Sequence, residues 1–86
     1  MITVELTYDM SKALGIETFE VDDVPTVADV VAATRAKFGD KGEEFAKLSR
    51  VAAVAVNGML VNYRKGMKTK LAPGDTVAFV KAAAGG

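Results

Sequence analysis

Few side chains in this 86-residue chain belong to types that do chemistry on their own. The sequence has 11 basic and 11 acidic residues but no Cys and no His. Without those two types, the chain's own side chains cannot form a zinc finger, an imidazole metal site, a thiol nucleophile or a Ser-His-Asp triad. Catalysis would have to use carboxylates, Lys, Tyr or Ser, and no pair of carboxylates has a spacing typical of acid-base work. These absences argue against a complete enzyme.

The end of the sequence has an unusual composition. After Lys81 it reads Ala-Ala-Ala-Gly-Gly, a run of small uncharged residues where a polar chain end is the usual finding. Two final glycines also arise by chance or as the remnant of an expression tag, so the pair alone is weak evidence. We expect residues 1–81 to form one domain and residues 82–86 to form a flexible tail.

Two strands are predicted at the start of the chain. The run from Ile2 to Tyr8 alternates apolar and polar residues, which is typical of a strand buried on one face. A second alternating run, Ile16 to Val21, places Phe19 and Val21 toward the interior. Residues 9–15 then form the long loop of a hairpin.

A helix is predicted over Val27 to Phe38. Thr26 is suited to cap its start, and apolar residues recur every three or four positions along one side that includes Val31. Gly39 is placed to end the helix, and a short second helical segment is expected within residues 40–49. If this side of the helix is buried, replacement of Val31 by Asp should unfold the domain.

Three more strands are predicted in the second half of the chain. Val51 to Val56 is an unbroken run of Val and Ala, which is typical of an interior strand. Asn57-Gly58 favours a tight turn into a short strand at Met59 to Val61, and residues 73–75 form a turn before a last strand, Thr76 to Lys81. We therefore predict an α+β fold, with one principal helix and a short second helical segment on a mixed sheet of about five strands.

Several segments resemble the ubiquitin-like sulfur carriers, the family that includes the molybdopterin synthase small subunit and the thiamine sulfur carrier. They are Thr26 to Val31, Val54 to Gly58, Leu71 with Gly74 to Phe79, and the final Gly85-Gly86. Their order and spacing are those of the family, and the resemblance covers most of the chain. Residues 81–84 depart from it, because molybdopterin subunits often carry a proline-rich approach to the glycines. The resemblance implies a β-grasp (ubiquitin-like) fold with the first and last strands side by side in the middle of the sheet.

The resemblance also implies a function for the tail. In this family an adenylyltransferase similar to ubiquitin-activating enzymes uses ATP to adenylate the terminal carboxylate, which is then converted to a sulfur-donating thiocarboxylate. Gly86 is the implied reacting residue, and Gly85 and Ala84 keep its approach narrow. We expect no bound cofactor, since the activating enzyme uses the ATP, and a chain that serves as co-substrate or non-catalytic small subunit.

The most specific expectation is the small subunit of molybdopterin synthase in molybdenum cofactor biosynthesis. That role adds a second partner, the large synthase subunit or another sulfur-accepting enzyme. Three alternatives stay open: a modifier joined through Gly86 to lysines, a carrier for thiamine or cysteine biosynthesis, and a plain β-grasp interaction domain.

Partner recognition is expected on the folded domain. The candidate side chains are three apolar residues of the last strands and two bases between those strands: Met59, Val61, Phe79, Arg64 and Lys65. The alternative is a place in the core for the apolar residues and a solvated loop for the bases.

Composition also bears on other partners. A net charge of zero disfavours a general nucleic-acid binder. The longest uncharged stretch, residues 51–63, is too short to span a bilayer, and the first residues include Glu5 but lack the basic segment of a signal peptide. We therefore expect a cytoplasmic protein that binds neither nucleic acid, nor membrane, nor metal.

Overall fold

The fold is built on a mixed five-stranded sheet. The computed structural model describes residues 1–61 and 66–81. The strands lie in the order β2-β1-β5-β3-β4. A 3₁₀ turn, Gly39–Lys41, joins the second and third helices. The elements in chain order are β1 Ile2–Glu5, α1 Tyr8–Leu14, β2 Thr18–Val21, α2 Val27–Phe38, α3 Gly42–Arg50, β3 Ala52–Val56, β4 Met59–Leu60 and β5 Thr76–Lys81.

The first and last strands lie side by side in the middle of this sheet, as the resemblance implied. β1 and β5 run parallel, with Val4 opposite Val77. β2 pairs antiparallel with β1, and β3 pairs antiparallel with β5 along its whole length. The unbroken Val and Ala run therefore forms an interior strand, as predicted, and the α+β fold is confirmed.

The helices cover one face of the sheet and enclose a single core. Phe45 of α3 meets Phe79 of β5 edge to face, with ring centroids 5.5 Å apart. Phe19 of β2 meets Phe38 of α2 in the same way at 5.2 Å. Such pairs add about 0.5–1.5 kcal/mol beyond area burial, so they fix α2 and α3 against the sheet.

The hairpin loop expected at residues 9–15 is in fact a helix. The Thr7 hydroxyl accepts a hydrogen bond from the Met10 N–H at 3.1 Å, which caps α1. Met10 and Leu14, four residues apart, are both buried, and Gly15 ends the helix at φ 76°. Tyr8 consequently leaves the strand and becomes an exposed residue of the first helical turn.

The principal helix has the predicted bounds, and the predicted apolar side is the one that packs against the core. Thr26 caps it by accepting from the Asp29 N–H at 3.3 Å. Val30 is fully buried, whereas Val31 is only partly buried. Val31 and Phe38 pack against the core beside Val30, so the predicted side of the helix faces inward, and Val30 is the residue at which an introduced carboxylate would be fully buried.

The second helical segment is also present, and it lies close to α2. A Cβ atom on Gly42 would come within 2.7 Å of the Arg35 carbonyl oxygen, so only glycine permits this approach of α3 to α2. Arg35 and Glu43 form an exposed ion pair at 2.7 Å across the same junction. Exposed pairs contribute little stability, so the buried glycine and Phe45 are what join the helices.

Two properties concern the described residues as a whole. Across residues 1–61 and 66–81, none of the helices has the length and apolar character needed to cross a bilayer. The same ranges contain no cluster of three or more carboxylate, thiol or imidazole side chains arranged to hold a metal ion.

Candidate functional site

The last strand determines where the final residues of the sequence leave the domain. β5 is hydrogen-bonded on both sides, to β1 and to β3, and its Val77 and Phe79 are buried. Its last residue, Lys81, is exposed and lies opposite Ala52 at the start of β3. The sheet therefore holds the starting point of residues 82–86 at this end of the molecule, which we call the exit end.

At the opposite end of β5, a side-chain network fixes the start of the strand. Asn57 and Gly58 have φ angles of 50° and 85°, as in a type I′ turn, which confirms the predicted tight turn. The Asn57 side chain accepts from the Thr76 N–H at 2.9 Å and donates to Asp75 Oδ1 at 3.0 Å. The other Asp75 oxygen accepts from the Ala72 N–H at 2.8 Å. The β3–β4 turn and β5 are thereby held in one register.

These hydrogen bonds lower the pKa of Asp75 below its ordinary value of 3.8. The main cause is the Ala72 N–H, followed by the Asn57 amide, while partial desolvation acts in the opposite direction. Both donors favour the charged carboxylate. A carboxyl group with a depressed folded-state pKa stabilises the domain above its unfolded pKa, and this contribution is lost as the pH falls through the folded value.

We expect Asp75→Asn to lower the thermal midpoint at neutral pH, because an amide cannot accept from both donors. The difference from the wild-type protein should shrink as the pH falls below the folded pKa, where the wild-type carboxyl is itself protonated. Thermal melts of both proteins from neutral pH to the acid range test this. A midpoint difference that stays constant over that range would show that the charge of Asp75 does not stabilise the register.

The exit end carries a groove. Its volume is about 130 Å³, and its walls come from the ends of four elements: Thr7, Tyr8, Asp9, Leu48, Val51, Ala52 and Lys81. Tyr8 is 73% exposed and Val51 is 70% exposed. The Lys12 ammonium lies 5.4 Å from the centre of the Tyr8 ring, and the two exposed side chains flank one depression, as at a surface suited to a protein partner.

The candidate partner-binding residues differ in how much of each side chain is exposed. Met59 is 74% exposed on β4, so it is available to a partner. Val61 is half-buried and packs against the core. Phe79 is 2% exposed, so its choice as a docking residue is wrong: the helices cover the face of β5 on which it lies. Arg64 and Lys65 fall outside the described residues.

The tail residues Ala84, Gly85 and Gly86 also lie outside the described residues, so their chemistry stays a prediction. Sequence reasoning missed Tyr8 and Val51, because both were assigned to strands. For Tyr8 a usable signal exists in the Thr7 cap and the four-residue spacing of Met10 and Leu14. For Val51 no local signal exists, since it ends α3 inside an apolar run.

The profile of the ThiS family matches residues 9–86 of this chain, from the start of α1 through Gly86. The chain belongs to the ThiS family of ubiquitin-like sulfur carriers. The resemblance read from the sequence is thus confirmed at family level. No curated protein sequence matches this carrier significantly.

Solved structures agree with the fold of this carrier. A chain of the BexX/CysO complex of Amycolatopsis orientalis is 22% identical, with a TM-score of 0.77 and coverage of 100% of both chains. The small archaeal modifier protein 1 of Haloferax volcanii is 24% identical, with a TM-score of 0.67 and coverage of 95% of this chain and 97% of its own.

A third similar structure is the complex of subunits 1 and 2 of the molybdopterin-converting factor of Helicobacter pylori. The match is 21% identical, has a TM-score of 0.58 and covers 99% of this chain and 97% of the other. At these identities all three likenesses show the β-grasp fold alone.

Proposed function

We propose that this ThiS-family chain carries sulfur on the carboxylate of Gly86. The observation that supports this most is the family match, which runs through residue 86 and so includes the final Gly85-Gly86. The exit end adds support, because β5 is paired with β1 as far as Ala78 and with β3 as far as Lys81. Enzymes then bind the folded domain, and this binding directs the reacting end of the chain to their active sites.

The proposed chemistry has two steps, both carried out by an activating enzyme. A free α-carboxyl has a pKa of about 3.5, so at neutral pH an oxygen of Gly86 is an anion that can attack the α-phosphate of ATP. Pyrophosphate leaves, and the product is an acyl-adenylate. Hydrosulfide attack at the acyl carbon releases AMP and gives the thiocarboxylate directly. Attack by a persulfide releases AMP and gives an acyl disulfide, and a thiol then cleaves its S–S bond, which frees the thiocarboxylate and leaves a disulfide between the donor and that thiol.

The composition of the tail suits this reaction. Five residues follow Lys81, and at full extension they reach about 17 Å. The last two have no Cβ, so the acyl carbon can enter a narrow channel and the backbone can take conformations closed to other residues. The three alanines before them add little width.

We further propose that the acceptor is the large subunit of molybdopterin synthase, with this chain as the small subunit. The fold-level likeness to the molybdopterin-converting factor supports this, and a carrier for thiamine or cysteine biosynthesis is the competing proposal. In this proposal the large subunit docks on the exposed Met59.

The test mixes the thiocarboxylated chain, in separate reactions, with a molybdopterin synthase large subunit, a thiamine-pathway acceptor and a cysteine-pathway acceptor. Each reaction also contains the substrate to which that enzyme adds sulfur. We expect loss of sulfur from the chain and gain of sulfur by the substrate only with the molybdopterin enzyme. Transfer to either other acceptor would reassign the pathway. Recovery of Gly86 joined to lysine side chains, without any thiocarboxylate, would favour protein modification.

A further inference from the structure

We propose that the adenylating enzyme docks on the exit groove, with Tyr8 and Val51 on its rim. The enzyme surface that makes this contact is the one around the entrance of its active-site channel. This inference rests on the proposed function of Gly86. It adds a docking site made of residues that are remote from one another in sequence.

The groove forms because three chain segments end or begin at the same edge of the sheet. β1 is parallel to β5 and its last residue, Glu5, lies opposite Ala78, so the chain then reaches Tyr8 at the edge where β5 ends, and Tyr8 and Lys81 line the same groove. β3 is antiparallel to β5, so Ala52, the residue after Val51, lies opposite Lys81. The exit of the tail is therefore next to both exposed apolar side chains.

Both side chains are held outward by backbone structure. Tyr8 is the first residue of α1, whose opposite side is anchored by the buried Met10 and Leu14. Val51 ends α3, where its N–H donates to the Leu48 carbonyl at 3.3 Å. Neither is needed in the core, so their exposure is a fixed property of the surface.

The length of the tail identifies the occupant of the groove. Because Gly86 lies at most about 17 Å from Lys81, an enzyme whose catalytic centre holds Gly86 must bring the entrance of its channel close to the exit end. The enzyme surface around that entrance then faces Tyr8 and Val51. We infer that an apolar side chain on the entrance fills the groove and that polar groups beside it meet Asp9 and Lys81, which also line it.

The double variant Tyr8→Ser/Val51→Ser tests this with wild-type and variant carriers in ATP–pyrophosphate exchange. Contacts made equally before and during reaction change KM rather than kcat. We expect KM for the carrier to rise about tenfold or more with kcat little changed, in line with the loss of central apolar contacts from an interface. Tyr8→Phe is the matched control, and it should keep the wild-type KM because it retains the ring.

Thermal melting checks that the double variant keeps the fold, which is expected because both side chains are exposed. If the wild-type carrier supports exchange and the double variant shows an unchanged KM, the docking surface is overturned while the function of Gly86 stands. If the wild-type carrier supports no exchange with the activating enzymes of the molybdopterin, thiamine and cysteine pathways, the proposed function fails and this inference fails with it. An equal rise in KM for Tyr8→Phe would contradict the apolar role of the ring.

Discussion

Removal of Gly86 should lower ATP–pyrophosphate exchange at least about 100-fold while the folded domain stays intact. The shortened chain ends in Gly85, whose carboxyl group has nearly the same pKa, so ionisation is kept. The reacting carboxylate, however, is drawn back by about 3.5 Å. Attack on the α-phosphate needs near-attack geometry, and a misplacement of even about 1 Å can cost about 100-fold.

Gly86→Ala is the matched control for that deletion. It keeps the length of the tail but adds a methyl group beside the acyl carbon, so exchange should fall less than with the deletion. The shortened chain should also inhibit exchange by the wild-type carrier, because its exit groove is unchanged. Full exchange by the shortened chain would show that the final glycine is incidental, and an interaction domain with an idle tail would then be the better account.

Val30→Asp should leave the domain unfolded at neutral pH. Val30 is fully buried between α2 and the sheet among other apolar residues. An isolated carboxylate in such a site is so costly that it protonates instead, with a pKa raised by up to about 3–5 units, and the protonated group still lacks partners. Small domains have only about 5–15 kcal/mol of stability in total, and this one is at the small end of domain sizes.

Circular dichroism and thermal melts measure this effect against two controls. Ala32→Asp places the same residue on the exposed side of the same helix and should melt close to the wild-type protein. Val30→Ala removes apolar volume without adding charge and should cost about 2 kcal/mol, with the fold retained. A cooperative melt of Val30→Asp at the wild-type temperature would mean that the helix packs with another side.

The elements that the sequence predicted best are those with strong local signals. The Thr26 cap and Gly39 gave the bounds of α2, and the Asn57-Gly58 turn gave the start of β4. The sequence placed both Val30 and Val31 in the apolar stripe, but their degrees of burial could not be read locally, because these depend on which elements pack over the helix. α1 was missed because its two apolar anchors sit in a short polar segment that also looks like a loop.

The candidate site was predictable in part. The tail chemistry follows from the resemblance and the final glycines, which are visible in the sequence. The position of Phe79 depends on which face of β5 the helices cover, and alternation along a strand does not give that choice. The exit groove depends on the meeting of Tyr8, Val51 and Lys81, which the pairing of β5 with both β1 and β3 brings together.

Mass spectrometry of the intact chain tests the central claim most directly. The carrier is incubated with an activating enzyme, ATP and a sulfur source, and a sample without ATP serves as control. The account predicts an ATP-dependent species heavier by the difference between one sulfur and one oxygen atom, with fragmentation placing the change on Gly86. A chain that forms the Gly86 adenylate but never gains sulfur, with Gly86 appearing only in bonds to lysine, would contradict it.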